Sequence, residues 1–125
     1  MPTGGRDVMR RVQIVDKPQI TVEKIMSDIV GRVVEAADAT GAAPPTEWTF
    51  EADEFKQVEI LEKHMTETEF TIVIFMTTRD NPKPDENDVV QVAGKLELRY
   101  EWKERQWMLT AVKNLTFKYS VLLST

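Results

Sequence analysis

Histidine occurs once in these 125 residues, at position 64, and cysteine does not occur. Those two counts remove most nucleophilic and metal chemistry. Without cysteine there is no thiolate nucleophile, no disulfide and no cysteine-containing zinc site. A serine–histidine–acid triad would need a serine positioned beside His64, yet no G-x-S-x-G turn is present, and Ser27, Ser120 and Ser124 fall in a helical pattern or in the tail. His64 itself borders a turn and reads as a surface residue. The remaining candidates are carboxylates. Glu47 and Asp53 flank Trp48 and Phe50, the nearest match to an acid in apolar surroundings, where a raised pKa makes a general base. Against them stand 21 acidic residues, nearly all of which must be solvated. The balance points away from an enzyme, and an isomerase- or hydrolase-like activity with a pocket carboxylate is the alternative.

Aromatic residues offer a different chemistry. Trp48, Tyr100, Trp102 and Trp107 could line a ligand-binding pocket for a small apolar molecule. Trp102 and Trp107 flank a short polar turn, so a core or cross-strand pair that fixes register is the favoured explanation for them. Asn114-Leu115-Thr116 matches a glycosylation sequon but lies in a strand-like run. The acids of residues 79–88 (RDNPKPDEND) lack the glycine and terminal glutamate of a calcium loop, and Gly4-Gly5 has no phosphate-binding frame around it. No cofactor is implied.

The 16 basic residues against 21 acidic ones give a net charge of -5. That argues against nucleic acid, whose binding needs a basic footprint, and Arg6, Arg10 and Arg11 read as part of a solvated arm. No apolar run reaches the roughly 20 residues of a membrane span. Residues 1–17 mix charges throughout and do not form a signal peptide, which predicts a cytoplasmic protein unless a signal sequence has been removed.

The elements that must position these residues follow from apolar periodicity. Residues 1–18 read as a flexible or edge-strand N-terminal arm, and residues 19–125 as a single α+β domain. Val22, Ile25, Met26, Ile29, Val30, Val33, Val34 and Ala37 keep the i, i+3, i+4, i+7 spacing of one amphipathic helix, with Thr21 as N-cap and Gly41 and Pro44-Pro45 beyond its end. Residues 47–65 fit both periods; a strand over 56–64 is favoured by the Thr66-Glu67-Thr68 turn and the strand that follows it. That next strand, residues 70–78 (FTIVIFMTT), is apolar on both parities, so both its faces should be covered. Val73 and Phe75 then become candidate interface residues, covered by a second copy of the chain.

The longest amphipathic pattern spans residues 89–119. Val90, Val92, Leu96, Leu98, Tyr100 and Trp102 sit at every second position, broken only at Gly94, and Trp107, Leu109, Ala111, Leu115, Phe117 and Tyr119 share one parity after the turn at Lys103-Glu104-Arg105. Regularity should fail at Gly94 and near Lys113. The expectation is one helix of about 19 residues, roughly 28 Å long, packed on a curved antiparallel sheet of about four strands. The runs GKLELRYEW (94–102) and QWMLTAVKNLTF (106–117) resemble those of the cystatin-like group, in particular the nuclear transport factor 2-like α+β superfamily. Membership would imply a cone-shaped domain, with a pocket Asp or Glu acting as general base in some of its enzymes. The function the residues favour is a non-enzymatic binding or assembly module, self-associating as a homo-oligomer through a sheet face.

Overall fold

The computed structural model describes residues 17–80, 82 and 89–121. All of the expected N-terminal arm except Lys17 and Pro18 lies outside them, as do Arg6, Arg10, Arg11 and most of residues 79–88.

Helix α1 is Val22–Ile29, with Thr21 as its N-cap: the Thr21 hydroxyl accepts the Lys24 N–H at 3.2 Å. Such a cap is worth about 1 kcal/mol. Ile25 and Ile29 are buried on its inner face. The helix is less than half the expected length. Val30 turns extended (ψ 129) and Gly31 takes a φ of 87, which glycine adopts without a Cβ penalty. The Gly31 N–H then donates to the Phe50 carbonyl at 2.8 Å, and the Phe50 N–H to Arg32 at 3.0 Å. These bonds open a strand pair where a helix was expected.

The fold expectation of one long helix on about four antiparallel strands is therefore corrected. The described residues are 60% strand and 8% helix, with seven strands in one sheet. They are β1 (Val33–Asp38), β2 (Thr46–Thr49), β3 (Phe55–Met65), β4 (Glu69–Thr78), β5 (Val89–Lys103), β6 (Gln106–Asn114) and β7 (Lys118–Val121). The hydrogen-bonded order is β2-β1-β7-β5-β4-β3, with β6 beside β5. The sheet is mixed, because β1 runs parallel to β7 through Ala37↔Lys118 and Asp38↔Tyr119. Val33 and Val34 are β-branched and suit the pleat; Val34, Ala36 and Asp38 point inward.

The strand expectations for residues 56–64 and 70–78 correspond to β3 and β4, and the polar turn joins β5 to β6. Glu104 and Arg105 both have positive φ (52 and 64), the two-residue hairpin geometry whose twist matches its strands. Beyond the turn the alternation breaks twice. The pairing shifts between Arg99↔Ala111 and Tyr100↔Leu109, leaving Thr110 as the extra residue. Val112 is consequently half-buried and Ala111 exposed.

The second break follows Asn114. Its amide donates to the carbonyls of Glu35 (2.6 Å) and Phe117 (2.8 Å) and accepts the Phe117 N–H (2.6 Å). Leu115 turns out to solvent, and the chain re-enters the sheet as β7, with Phe117 and Tyr119 buried. Gly94 faces this kink. A Cβ built there would stand 2.2 Å from the Thr116 carbonyl oxygen, and its φ of 144 also favours glycine.

The core lies between α1 and the inner sheet face. Ile25, Ile29, Ile72, Ile74, Met76, Leu96 and Leu98 are all fully buried.

Candidate functional site

The outer face of the sheet is built by β4 and its neighbours. Phe70, Ile72, Ile74, Met76 and Thr78 point inward and are buried. Val73 and Phe75 point the other way, are half-buried, and do not belong to the core cluster. Cross-strand register sets their surroundings. Glu59 of β3 and Lys95 of β5 stand on either side of Phe75; Glu62 and Glu97 stand on either side of Val73. Lys113 of β6 lies beyond Glu97 in the same row. The Gln57 amide donates to Glu59 at 3.3 Å, keeping that carboxylate on the face. β4 is interior to the sheet, as its double-sided apolarity implied, and among the described residues Val73 and Phe75 stay half-buried, flanked in register by charged residues of β3 and β5.

The four aromatic residues expected to line a pocket have separate roles. Trp102 and Trp107 pair across the β5–β6 turn, edge to face, with ring centroids 5.0 Å apart, and Phe70 meets Trp107 at 5.3 Å. The segment before α1 lies on them. The Trp107 indole donates to the Pro18 carbonyl at 2.9 Å, and the Lys17 ammonium stands 5.4 Å from the Trp102 ring centroid. Lys63 donates to the Gln19 side chain at 3.2 Å, and Lys17 also reaches the Glu67 carbonyl. Tyr100 is on the same face of β5, fully buried. Trp48 is on β2, at the other margin of the sheet, where its indole donates to Glu54 at 2.9 Å.

The carboxylates singled out by sequence, Glu47 and Asp53, are both exposed. Among the described residues the fold buries two other acids, Asp38 and Glu54, the latter beneath Trp48. Glu54 sits in the β2–β3 turn, six residues after its partner Trp48, and no periodic pattern marks it. Asp38 accepts the Thr40 N–H (3.1 Å), the Thr40 hydroxyl (2.9 Å) and the Ala43 N–H (2.8 Å). Those bonds, the Thr40 N–H foremost, hold its carboxyl below the usual range. It organises the β1–β2 loop rather than carrying protons near neutrality.

A polar pair under α1 was also missed. Burial, then the nearby Asp28 carboxylate, pushes the Tyr100 hydroxyl well above its ordinary pKa. Asp28 is itself paired with Lys24 at 3.1 Å, one helical turn away, and approaches Tyr100 without full hydrogen-bond geometry. Arg32 donates to the Leu109 carbonyl at 2.5 Å. Nothing in the spacing of residues 28 and 100 announces this contact.

Depressions among the described residues include a cleft and a groove. A cleft of about 570 Å³ separates β1 from the β6–β7 kink, between Val33 and Glu35 on one wall and Val112, Lys113 and Leu115 on the other. A groove of about 370 Å³ lies between the end of α1 and the β2–β3 turn, lined by Met26, Ser27, Val30, Ala52 and Phe55. Among the described residues no group of three histidine or acidic side chains could hold a metal ion, and no helix is long and apolar enough to cross a membrane. Compared with known proteins, the chain matches no family model, no curated protein and no solved structure.

Proposed function

We propose that this chain is a non-enzymatic binding and assembly module that self-associates through the outer face of its sheet. The observation that carries this is the half-buried pair Val73 and Phe75 on the open face of an interior strand. Burying a fully exposed side chain of this kind is worth about 1.5–3 kcal/mol and covering a half-buried one only part of that, so two of them side by side still gain from a partner. The resemblance of residues 94–102 and 106–117 to nuclear transport factor 2-like chains belongs to the same reading. The exposed positions of Glu47 and Asp53 leave the pocket-carboxylate alternative without its named residues.

Light scattering tests the proposal across a concentration series. The wild-type chain should associate, and Phe75→Lys should shift it to monomer while leaving its melting temperature within a few degrees. A wild-type chain that stays monomeric throughout would end this reading. A second reading, a carrier of small apolar ligands, is supported by the groove at Met26, Val30 and Phe55, where Val30 is 40% exposed. An apolar fluorescent probe that binds wild type and not Val30→Glu would favour it.

A further inference from the structure

The charges around Phe75 favour one two-fold axis over the other, and Lys113 beside Glu97 makes the difference. Phe75 has Glu59 on its β3 side and Lys95 on its β5 side, opposite charges in one row. Val73 has acids on both sides, Glu62 and Glu97, but Glu97 is faced by Lys113 from β6. Sheets that pack face to face keep their strands within about 30° of alignment, which leaves two candidate axes in the interface plane.

An axis running along β4 lays β3 of one copy over β5 of the other. Each Glu59 then meets the Lys95 of its partner, twice by symmetry. The cost is Glu62 against Glu97, and Lys113 beside Glu97 softens it. An axis across the strands lays β3 over β3 and brings Glu59 against the second copy's Glu62, acid on acid with no cation in either position. The compensating contact, Lys95 with Glu97, is weakened because Glu97 already faces Lys113. Like charges juxtaposed at an interface select against a docking mode more strongly than rim pairs reward one.

We infer that a second copy of this chain docks on the outer face about a two-fold axis parallel to β4, with reciprocal Glu59–Lys95 contacts flanking a Phe75–Val73 centre. This rests on the self-association reading above. The face spanned by β3 to β6, at roughly 4.8 Å per strand and 3.3 Å per residue, covers on the order of 600 Å² in projection, near the roughly 800 Å² per partner of a stable interface.

Sedimentation equilibrium on the full chain tests it through charge reversal, with thermal melts confirming that each variant is folded. Glu59→Lys and Lys95→Glu should each weaken the dimer about tenfold, and the double variant E59K/K95E should return to near wild type. Glu62→Lys should tighten the dimer, because it turns the remaining repulsion into an attraction. If Glu59→Lys tightens association, the axis across the strands is correct and the inference is overturned. If Phe75→Lys dissociates the dimer while the charge reversals change nothing, the face is right and the register wrong. A wild-type chain that never dimerises overturns the underlying reading as well.

Discussion

Gly94 and Asn114 show how single residues fix the shape of the last strand. Asn114 uses its amide three times, twice to close the kink at Phe117 and once to reach the Glu35 carbonyl of β1. Thr116 adds a bond by accepting the Lys95 N–H at 2.9 Å. Both polar residues of the apparent sequon thus hold the β6–β7 kink against the sheet, a structural role that accounts for them. Gly94 provides the space for this kink. Gly94→Ala should cost on the order of 2–4 kcal/mol, since the added methyl meets backbone atoms and not a yielding side chain. Urea denaturation would show a lower midpoint at unchanged slope; a midpoint within error of wild type would contradict the tight approach.

Among the elements, the junction of α1 and β1 is the most instructive. A spacing of four residues is both one helical turn and two strand repeats, so Val33 and Ala37 satisfy either pattern. The pattern continued past the true helix end for that reason. The signal that could have stopped it was Gly31, a poor helix-interior residue and a good helix terminator. Its φ of 87 predicts that Gly31→Ala costs about 1 kcal/mol from backbone strain alone, because nothing lies within 4 Å of the added methyl. A substitution that stabilises the protein would mean the helix extends through residue 31. The long β3 edge is guarded by Lys56, Glu59, Glu62 and Lys63 and by two register shifts, a device that discourages edge-to-edge pairing and leaves the face for contact.

For the whole molecule, the buried Tyr100 hydroxyl links stability to alkaline pH. Its pKa is raised on folding, so its contribution is complete below the unfolded value of about 10. Above that pH the unfolded chain releases the proton and the folded chain holds it. Stability should then fall by about 1.4 kcal/mol per pH unit from this group. Tyr100→Phe should remove that part of the slope, so the difference between wild-type and variant stability should shrink steadily as pH rises above 10. A constant difference from pH 8 to 11, values chosen to bracket the free tyrosine pKa, would show that Tyr100 is not shielded.

Period-two alternation is a property of neighbouring residues, and that is why the sequence by itself marked β4, β5, the first half of β6 and the turn between the last two, whereas β3 fitted both periods and was favoured as a strand only through its neighbour. It also marked Val73 and Phe75 as apolar positions facing away from the core of their own strand. Partners distant in the chain decided the rest. Asn114 bonding Glu35, Asp28 against Tyr100 and Pro18 on Trp107 join residues that no local pattern relates. Those contacts turned an expected half-helix into β1, closed a mixed sheet of seven strands, and laid the chain's own residues 17–20 over the tryptophan pair. The tryptophan end is therefore covered by Lys17 and Pro18 of its own chain, and Phe75 lies in a charged row because cross-strand register, which only the folded sheet sets, places Glu59 and Lys95 beside it.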